Sequence, residues 1–429
     1  MSTLASPIEP VWRFWRWVRN PAFWTTVADA FAVLTALALP WSTSAVSIFM
    51  LCWLGSAALM IDYGIYLRSL KRPIFVFPIA LFMLAVIGML WSGAPWSERL
   101  YAVGPLARLL VLPGLFYHFS RSTRGKWVFI AFLVSCTLMA AVSWIVAFNP
   151  GFSLKPEDAR FCGIFVRNYI DQGQEFSLCA IALAYPVMRL LKENRLWLAG
   201  FLTAIALVLI VNMVFVIASR TALATMPLML AVFAFRYLQW RGIVALGMAV
   251  IVGGLAWATT PRMCRTVETL ARDFELYREH NTPTSAGLRM EYWKKSLRFI
   301  AEAPLVGHGT GSIRGLFQKA ATGDAVEATG HVIANPHNQT FGVAIQWGVI
   351  GIVVLYAMWF SHLRLFLPGE GLAAWIGLLV VVQNVLTSLF NSHIFDFHAG
   401  WMYVLGVGVA GGMLLKDDAG TAVNQRVEA

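Results

Sequence analysis

Charge is what this sequence holds least of: 33 Lys+Arg and 22 Asp+Glu among 429 residues, 13% in all. Soluble domains carry about 25%, so a water-facing surface for the whole chain is excluded. Cysteine is also scarce, with five residues and no CxxC pair, which excludes a cysteine-built zinc site or a disulfide framework. Cys52, Cys136 and Cys179 fall in apolar runs; Cys162 and Cys264 lie outside them and leave both a disulfide and two free thiols open. There is no internal repeat and no low-complexity segment. The basic residues give a net charge of +11, but they are dispersed and form no dense patch of the kind nucleic acid requires.

What is present is apolar surface. Hydrophobic residues make up 59% of the chain, with 18 Trp and 29 Phe, more than one aqueous core can bury. A bilayer is the required solvent. A hydrocarbon core of about 30 Å needs about 20 apolar residues per helix, fewer inside a bundle. That criterion predicts an all-α polytopic membrane protein with twelve spans, at 23–39, 44–60, 74–90, 100–118, 127–148, 174–189, 196–218, 221–238, 243–259, 339–360, 372–390 and 399–415.

Short-loop basic residues set the orientation. With the N-terminus cytoplasmic, inside loops carry Arg68/Lys71/Arg72, Arg121/Arg124/Lys126, Arg189/Lys192/Arg195 and Arg236/Arg241, while the first two outside loops hold only Arg99. The even span count returns the C-terminus to the cytoplasm. The expected organisation is an interfacial segment 1–22, nine spans over 23–260, one large, partly helical outside loop 261–336, three spans over 337–415 and a polar, disordered tail 416–429. Arg13, Arg16 and Arg19 among Trp12, Trp15 and Trp17 read as a snorkelling belt at anionic headgroups. Ala36-Leu37-Ala38 mimics a signal-peptidase site, but Asp29 within the run and the immediate second span argue for retention.

Within the large loop, 262–279 reads as a solvated helix of alternating charge. Thr284-Ser285 caps a second helix over 286–303, which Pro304 and three following glycines end. On it Arg289 and Trp293 share a face, whereas Glu291 can pair with Lys294 or Lys295 on another. A shorter outside segment offers Lys155, Arg160 and Arg167 to an anion, or is an ordinary mixed-charge loop.

Chemistry concentrates at a few positions. Arg220 is wedged between two apolar runs, as a functional cation or as the cap of the preceding helix. Arg289 has the fork geometry for phosphate oxygens, or makes a surface salt bridge. His337, in Asn335-Pro336-His337-Asn338-Gln339, follows an extended chain and precedes a helix whose positive end favours the neutral ring; it is a base or a structural histidine. Asp396 can orient a histidine, hold a sugar hydroxyl or cap a helix. Gly307-His308-Gly309-Thr310-Gly311 can present amides to a phosphate or simply reverse the chain. His331, His337, His393 and His398 do not have the i, i+4 spacing of a helical zinc site.

In combination these residues resemble the O-antigen ligase family, within a superfamily shared with O-antigen polymerases and protein O-oligosaccharyltransferases. The resemblance rests on Ser219-Arg220-Thr221, Gly287-Leu288-Arg289 with Trp293, the run from Pro304 to Gly311, and Asn335-Pro336-His337-Asn338 leading into Gln346-Trp347-Gly348-Val349-Ile350-Gly351. It covers the second half by motif and the whole chain by topology. It implies a GT-C-like membrane fold in the bacterial inner membrane, with a periplasmic site, no cofactor and no metal. The implied reaction is inverting transfer of O-antigen polysaccharide from undecaprenyl diphosphate to a hydroxyl of the lipid A core oligosaccharide. On that resemblance Arg220 and Arg289 hold the donor diphosphate and His337 is the catalytic base. Asn338, Trp293 and Asp396 bind or orient substrate, and Arg160 is added as a third cation from the shorter loop. The partners implied are the lipid-linked donor, the lipid A core and membrane lipids. A polymerase or a protein O-glycosylating enzyme uses the same donor chemistry; a flippase would need charges along a midplane path, and Asp29, Arg108 and Glu175 form none.

Overall fold

A computed structural model describes residues 20–155, 163–166, 168–217, 219–258, 261–324 and 327–427. Among them the regular structure is helical. The first half comprises α1 (Pro21–Ala38), α2 (Thr43–Met60), α3 (Tyr63–Ser69), α4 (Pro73–Ile87), α5 (Trp96–Ala107), α6 (Val111–Phe119), α7 (Gly125–Phe148), α8 (Tyr169–Ala182) and α9 (Ala184–Lys192). The second comprises α10 (Leu196–Asn212), α11 (Arg220–Tyr237), α12 (Trp240–Ala258), α13 (Pro261–His280), α14 (Ser285–Glu302), α15 (Ile313–Lys319), α16 (Gln339–Phe366), α17 (Gly371–Thr387) and α18 (Phe397–Val427). The polar tail continues α18 as helix to Val427 instead of leaving it disordered.

The predicted spans lie over helical segments, with 100–118 divided between α5 and α6 and 174–189 between α8 and α9, but the count of twelve is not reproduced by length and composition. Among the described residues seven helical stretches are long and apolar enough to cross a bilayer, eight if α3 and α4, bent by 83°, form one span. Three of the uncounted segments fall short for physical reasons. α17 has 17 residues, α8 buries Asp171, Gln172, Gln174 and Glu175, and α11 carries Arg220 and Arg236 at its ends. These segments pack as polar or short elements inside a multi-pass membrane protein, where neighbours replace lipid.

The exterior confirms lipid as solvent. Leu51, Leu54 and Leu59 on α2, and Phe201 on α10, are exposed large apolar side chains, arranged as no aqueous surface would tolerate. The interior centres on α18, where 78% of the membrane-length window Phe397–Lys416 is buried, against 28% for α1. Glycines let α6 approach it: a Cβ at Gly408 would sit 2.6 Å from Leu115, and one at Gly412 would sit 2.7 Å from Phe119. Close approach through small residues is how helices pack tightly where no hydrophobic drive separates them from lipid.

α16 is broken at Gly348, whose φ of 59° and ψ of −152° are non-helical. The break frees backbone groups, and the loop after α14 takes them up. His308 N donates to Ile345 O (2.8 Å), Gly309 N to Gln346 O (2.9 Å), and Val349 N to Pro304 O (2.8 Å). Gly311 N donates to Gln346 Oε1 at 2.8 Å. The glycine-rich turn therefore spends these amides on the protein; of its two sequence readings, chain reversal is the one realised.

Candidate active site

His337 is held in an uncommon backbone state, φ +55°, a region costly for a residue with a Cβ and one that recurs at functional sites. Its N–H donates to Asn335 Oδ1 at 2.9 Å. Asn338 caps α16 by accepting from Phe341 N (3.1 Å) and donates through Nδ2 to Leu389 O (3.2 Å). Asn338, expected to bind or orient substrate, thus has its side chain engaged by the protein.

The ring's protonation follows from its neighbours. Asp396 Oδ2 can only accept, so Asn391 must donate to it through Nδ2, at 2.7 Å. That orientation turns Asn391 Oδ1 toward His337 Nδ1, 3.0 Å away. An amide oxygen also only accepts, so the neutral ring carries its proton on Nδ1 and keeps the Nε2 lone pair. No hydrogen bond occupies Nε2 among the described residues. Asn335 Nδ2 adds a second donor to Asn391 Oδ1 at 3.1 Å. Asp396 is fixed in turn by His393 Nδ1 at 3.2 Å, and the His393 ring meets Gln174 Nε2 at 3.1 Å. Asp396 therefore orients a histidine, as one of its sequence readings held, but acts on His337 through Asn391.

Burial is the first cause that pushes the His337 imidazolium below its ordinary value; the Asn391 hydrogen bond opposes this, and the charge of Arg289 reinforces it. The expected helix-end effect is not the leading one. Tyr292, one turn after Arg289, lies against His337 with ring centroids 6.0 Å apart at 26°, and its hydroxyl meets His331 Nδ1 at 3.1 Å. α14 thus turns Arg289 and Tyr292 toward His337, while Trp293 packs edge-on to Phe341 at 6.2 Å. The other face holds Glu291, which pairs with Lys295 at 3.5 Å, not with Lys294. Tyr277 donates to Glu291 at 2.8 Å, and burial pushes its phenol up to about 12.

Among the described residues neither the Arg289 nor the Arg220 side chain makes a hydrogen bond or ion pair with another residue. Within those residues, neither a salt bridge of Arg289 nor a helix cap by Arg220 is seen. Arg220 begins α11, a position where the helix dipole disfavours a cation, so it is not placed there for stability. A π-helical turn, Met213–Ile217, precedes it, a feature that recurs at functional sites. Ser219 packs against Gly173 on α8, two residues from Asp171. Arg160 and Arg167 lie outside the described residues, as do Cys162 and the aromatic-basic belt before residue 20.

A polar cavity of about 300 Å³ adjoins this network, lined by Lys155, Asn168, Asp171, Asn391, Asp396 and His398 among others. An apolar cavity of similar volume, between Leu39, Leu178, Ile376 and Met402, touches none of the site residues. Sequence reading missed Asn391, Tyr292 and Gln174. Asn391 lies 54 residues from His337, and no local pattern pointed to it.

Comparison with known proteins bears on this arrangement. Residues 205–356 match the family model described as O-antigen ligase. That stretch contains Arg220, Arg289, Trp293, Tyr292 and His337, and the break of α16. The chain carries an O-antigen ligase family domain. The chain is also 35% identical over 89 residues to a Pseudomonas aeruginosa protein named O-antigen ligase, an alignment covering 20% of each chain. An uncharacterized protein of Haemophilus influenzae is 24% identical over 170 residues, covering 38% of this chain and 42% of that one. The chain thus spans less than half the length of these curated relatives. The O-antigen ligase domain ends before Asn391 and Asp396, so the oxygen that fixes the His337 tautomer comes from beyond it.

Proposed function

We propose that this protein is an inverting glycosyltransferase that moves O-antigen polysaccharide from undecaprenyl diphosphate to a hydroxyl of the lipid A core, at the periplasmic face of the bacterial inner membrane. One observation carries the reading: a neutral His337 whose Nε2 has no hydrogen bond among the described residues, with the charge of Arg289, unpaired among those same residues, acting on its ring.

The chemistry is a single displacement. The acceptor hydroxyl gives its proton to His337 Nε2 as its oxygen bonds to the anomeric carbon. The bond from that carbon to the diphosphate oxygen breaks on the opposite face, and the electron pair leaves with the lipid diphosphate. Inversion follows from one displacement. A diphosphate needs no general acid, but its growing charge needs fixed cations, which Arg289 and Arg220 supply. Charge-assisted, bidentate contacts suit guanidinium to that task. Asn391 holds the ring in the productive tautomer, and Asp396 holds Asn391.

The test is transfer in proteoliposomes with labelled lipid-linked O-antigen and three acceptors: lipid A core, a second lipid-linked repeat unit and an acceptor protein. Label is expected on lipid A core, with or without chelator. Label on the repeat unit alone would make the protein a polymerase, and passage of donor across the bilayer without transfer would make it a flippase.

A further inference from the structure

The cavity beside Asp396 is built from elements that the proposed displacement does not use. The start of α8 contributes Asn168, Ile170 and Asp171; the start of α18 contributes Phe397 and His398; Lys155 closes one side. Asn391 and Asp396 form the wall shared with the His337 network. Asp171 is fixed by Asn168 Nδ2 at 2.8 Å and by His398 Nδ1 at 3.1 Å. His398 is 6% exposed, and its Nε2 has no partner among the described residues, a costly state for a buried polar atom.

Two helix N-termini and a lysine would ordinarily mark an anion site. Here Asp171 stands in the first turn of α8 and Asp396 immediately precedes α18, so two carboxylates face one lysine. Among the described lining residues that balance disfavours a phosphate. The same lining matches a neutral ring rich in hydroxyls: carboxylates accept, Lys155 donates, the two asparagine amides donate or accept, and Phe397 offers an apolar edge. Its volume of about 300 Å³ lies at the small end of ligand pockets, which run from roughly 300 Å³ upward.

We propose that this cavity is a sugar subsite, binding one neutral glycan residue next to the bond being made, with Asp171, His398 and Lys155 as its specificity residues. The proposal rests on the glycosyl-transfer reading for its substrate class, and the sugar comes from either the donor or the acceptor glycan. Because Asn391 and Asp396 line both the cavity and the His337 relay, occupancy would be sensed where the base is positioned.

The test uses the full-length protein in proteoliposomes, with Asp171→Asn, His398→Gln and, at an exposed loop position, Lys155→Ala. Initial rates are measured against lipid-linked donor and against lipid A core separately. Thermal stability and saturation-transfer NMR with free core oligosaccharide and free O-antigen repeat oligosaccharide are read in parallel. A rise of about tenfold in one KM, with kcat and melting temperature nearly unchanged, and loss of the NMR signal for the matching oligosaccharide support the subsite. Which KM rises names the source. Two unchanged KM values, or losses confined to kcat together with melting temperature, overturn it. Oligosaccharide binding that Asp171→Asn abolishes, in a wild type that transfers nothing, would keep the subsite and reject the transferase reading.

Discussion

At His337 the protein sets both the proton count and the proton's position. Burial and Arg289 lower the ring's affinity for a proton, so the neutral form that the proposed base requires dominates at neutral pH. The rate of transfer is expected to be flat above pH 7 and to fall on the acid side with a midpoint below the ordinary 6.5; a midpoint above 6.5 would contradict the assignment. Folding stability has the same sign. A histidine that binds its proton less readily when folded loses stability as pH falls below 6.5 toward the folded value. Arg289→Gln removes one lowering influence, so the acid limb should move up toward 6.5 while donor binding weakens, a pair of changes that pH-rate profiles and donor titration separate. Asp396→Asn frees the Asn391 amide to flip, which presents a donor to Nδ1 and the wrong tautomer to substrate. A fall in kcat of about 10-fold or more with donor affinity retained is expected from losing part of a base's 10²–10⁴ contribution. His337, Arg220, Arg289 and Asp396 were legible in the sequence because a charge or base beside an apolar run is conspicuous. Asn391 was not, because an amide becomes important only through what it touches, and its partner is remote in the chain.

Between residues and molecule, helix irregularities do the positioning. The break of α16 at Gly348 docks the loop after α14, and the π turn at Met213–Ile217 precedes Arg220. Gly348→Ala would place a Cβ against the Leu305 carbonyl in a backbone region that only glycine enters readily. A loss of about 2 kcal/mol or more is expected from strain and overpacking, visible as a lower melting temperature in detergent, and an unchanged melting temperature would refute this account of the kink. Hydropathy found the helices because lipid-facing faces leave long apolar runs. It counted twelve spans, of which length and composition reproduce seven or eight among the described residues, because α8 is polar and α17 is short. Neither the π turn nor the break has a hydropathy signature, and the break is met by tertiary hydrogen bonds from the loop after α14.

For the molecule as a whole, a packed helical bundle centred on α18 holds a loop helix, α14, against the start of α16, and so brings a cation and an aromatic ring to a base. The Asn391–Asp396 segment lies between α17 and α18, so the base is oriented from outside the family domain. This division explains why the motif-bearing half of the sequence pointed to the reaction type yet not to the relay behind it. The central claim is that His337 removes the acceptor's proton while the arginines hold the donor. Its most direct test is the transfer rate of His337→Ala in proteoliposomes, with lipid-linked donor binding titrated in the same preparation. The expected result is a rate loss of about 10²- to 10⁴-fold with donor affinity within twofold of wild type; near-normal turnover in that variant would contradict the account.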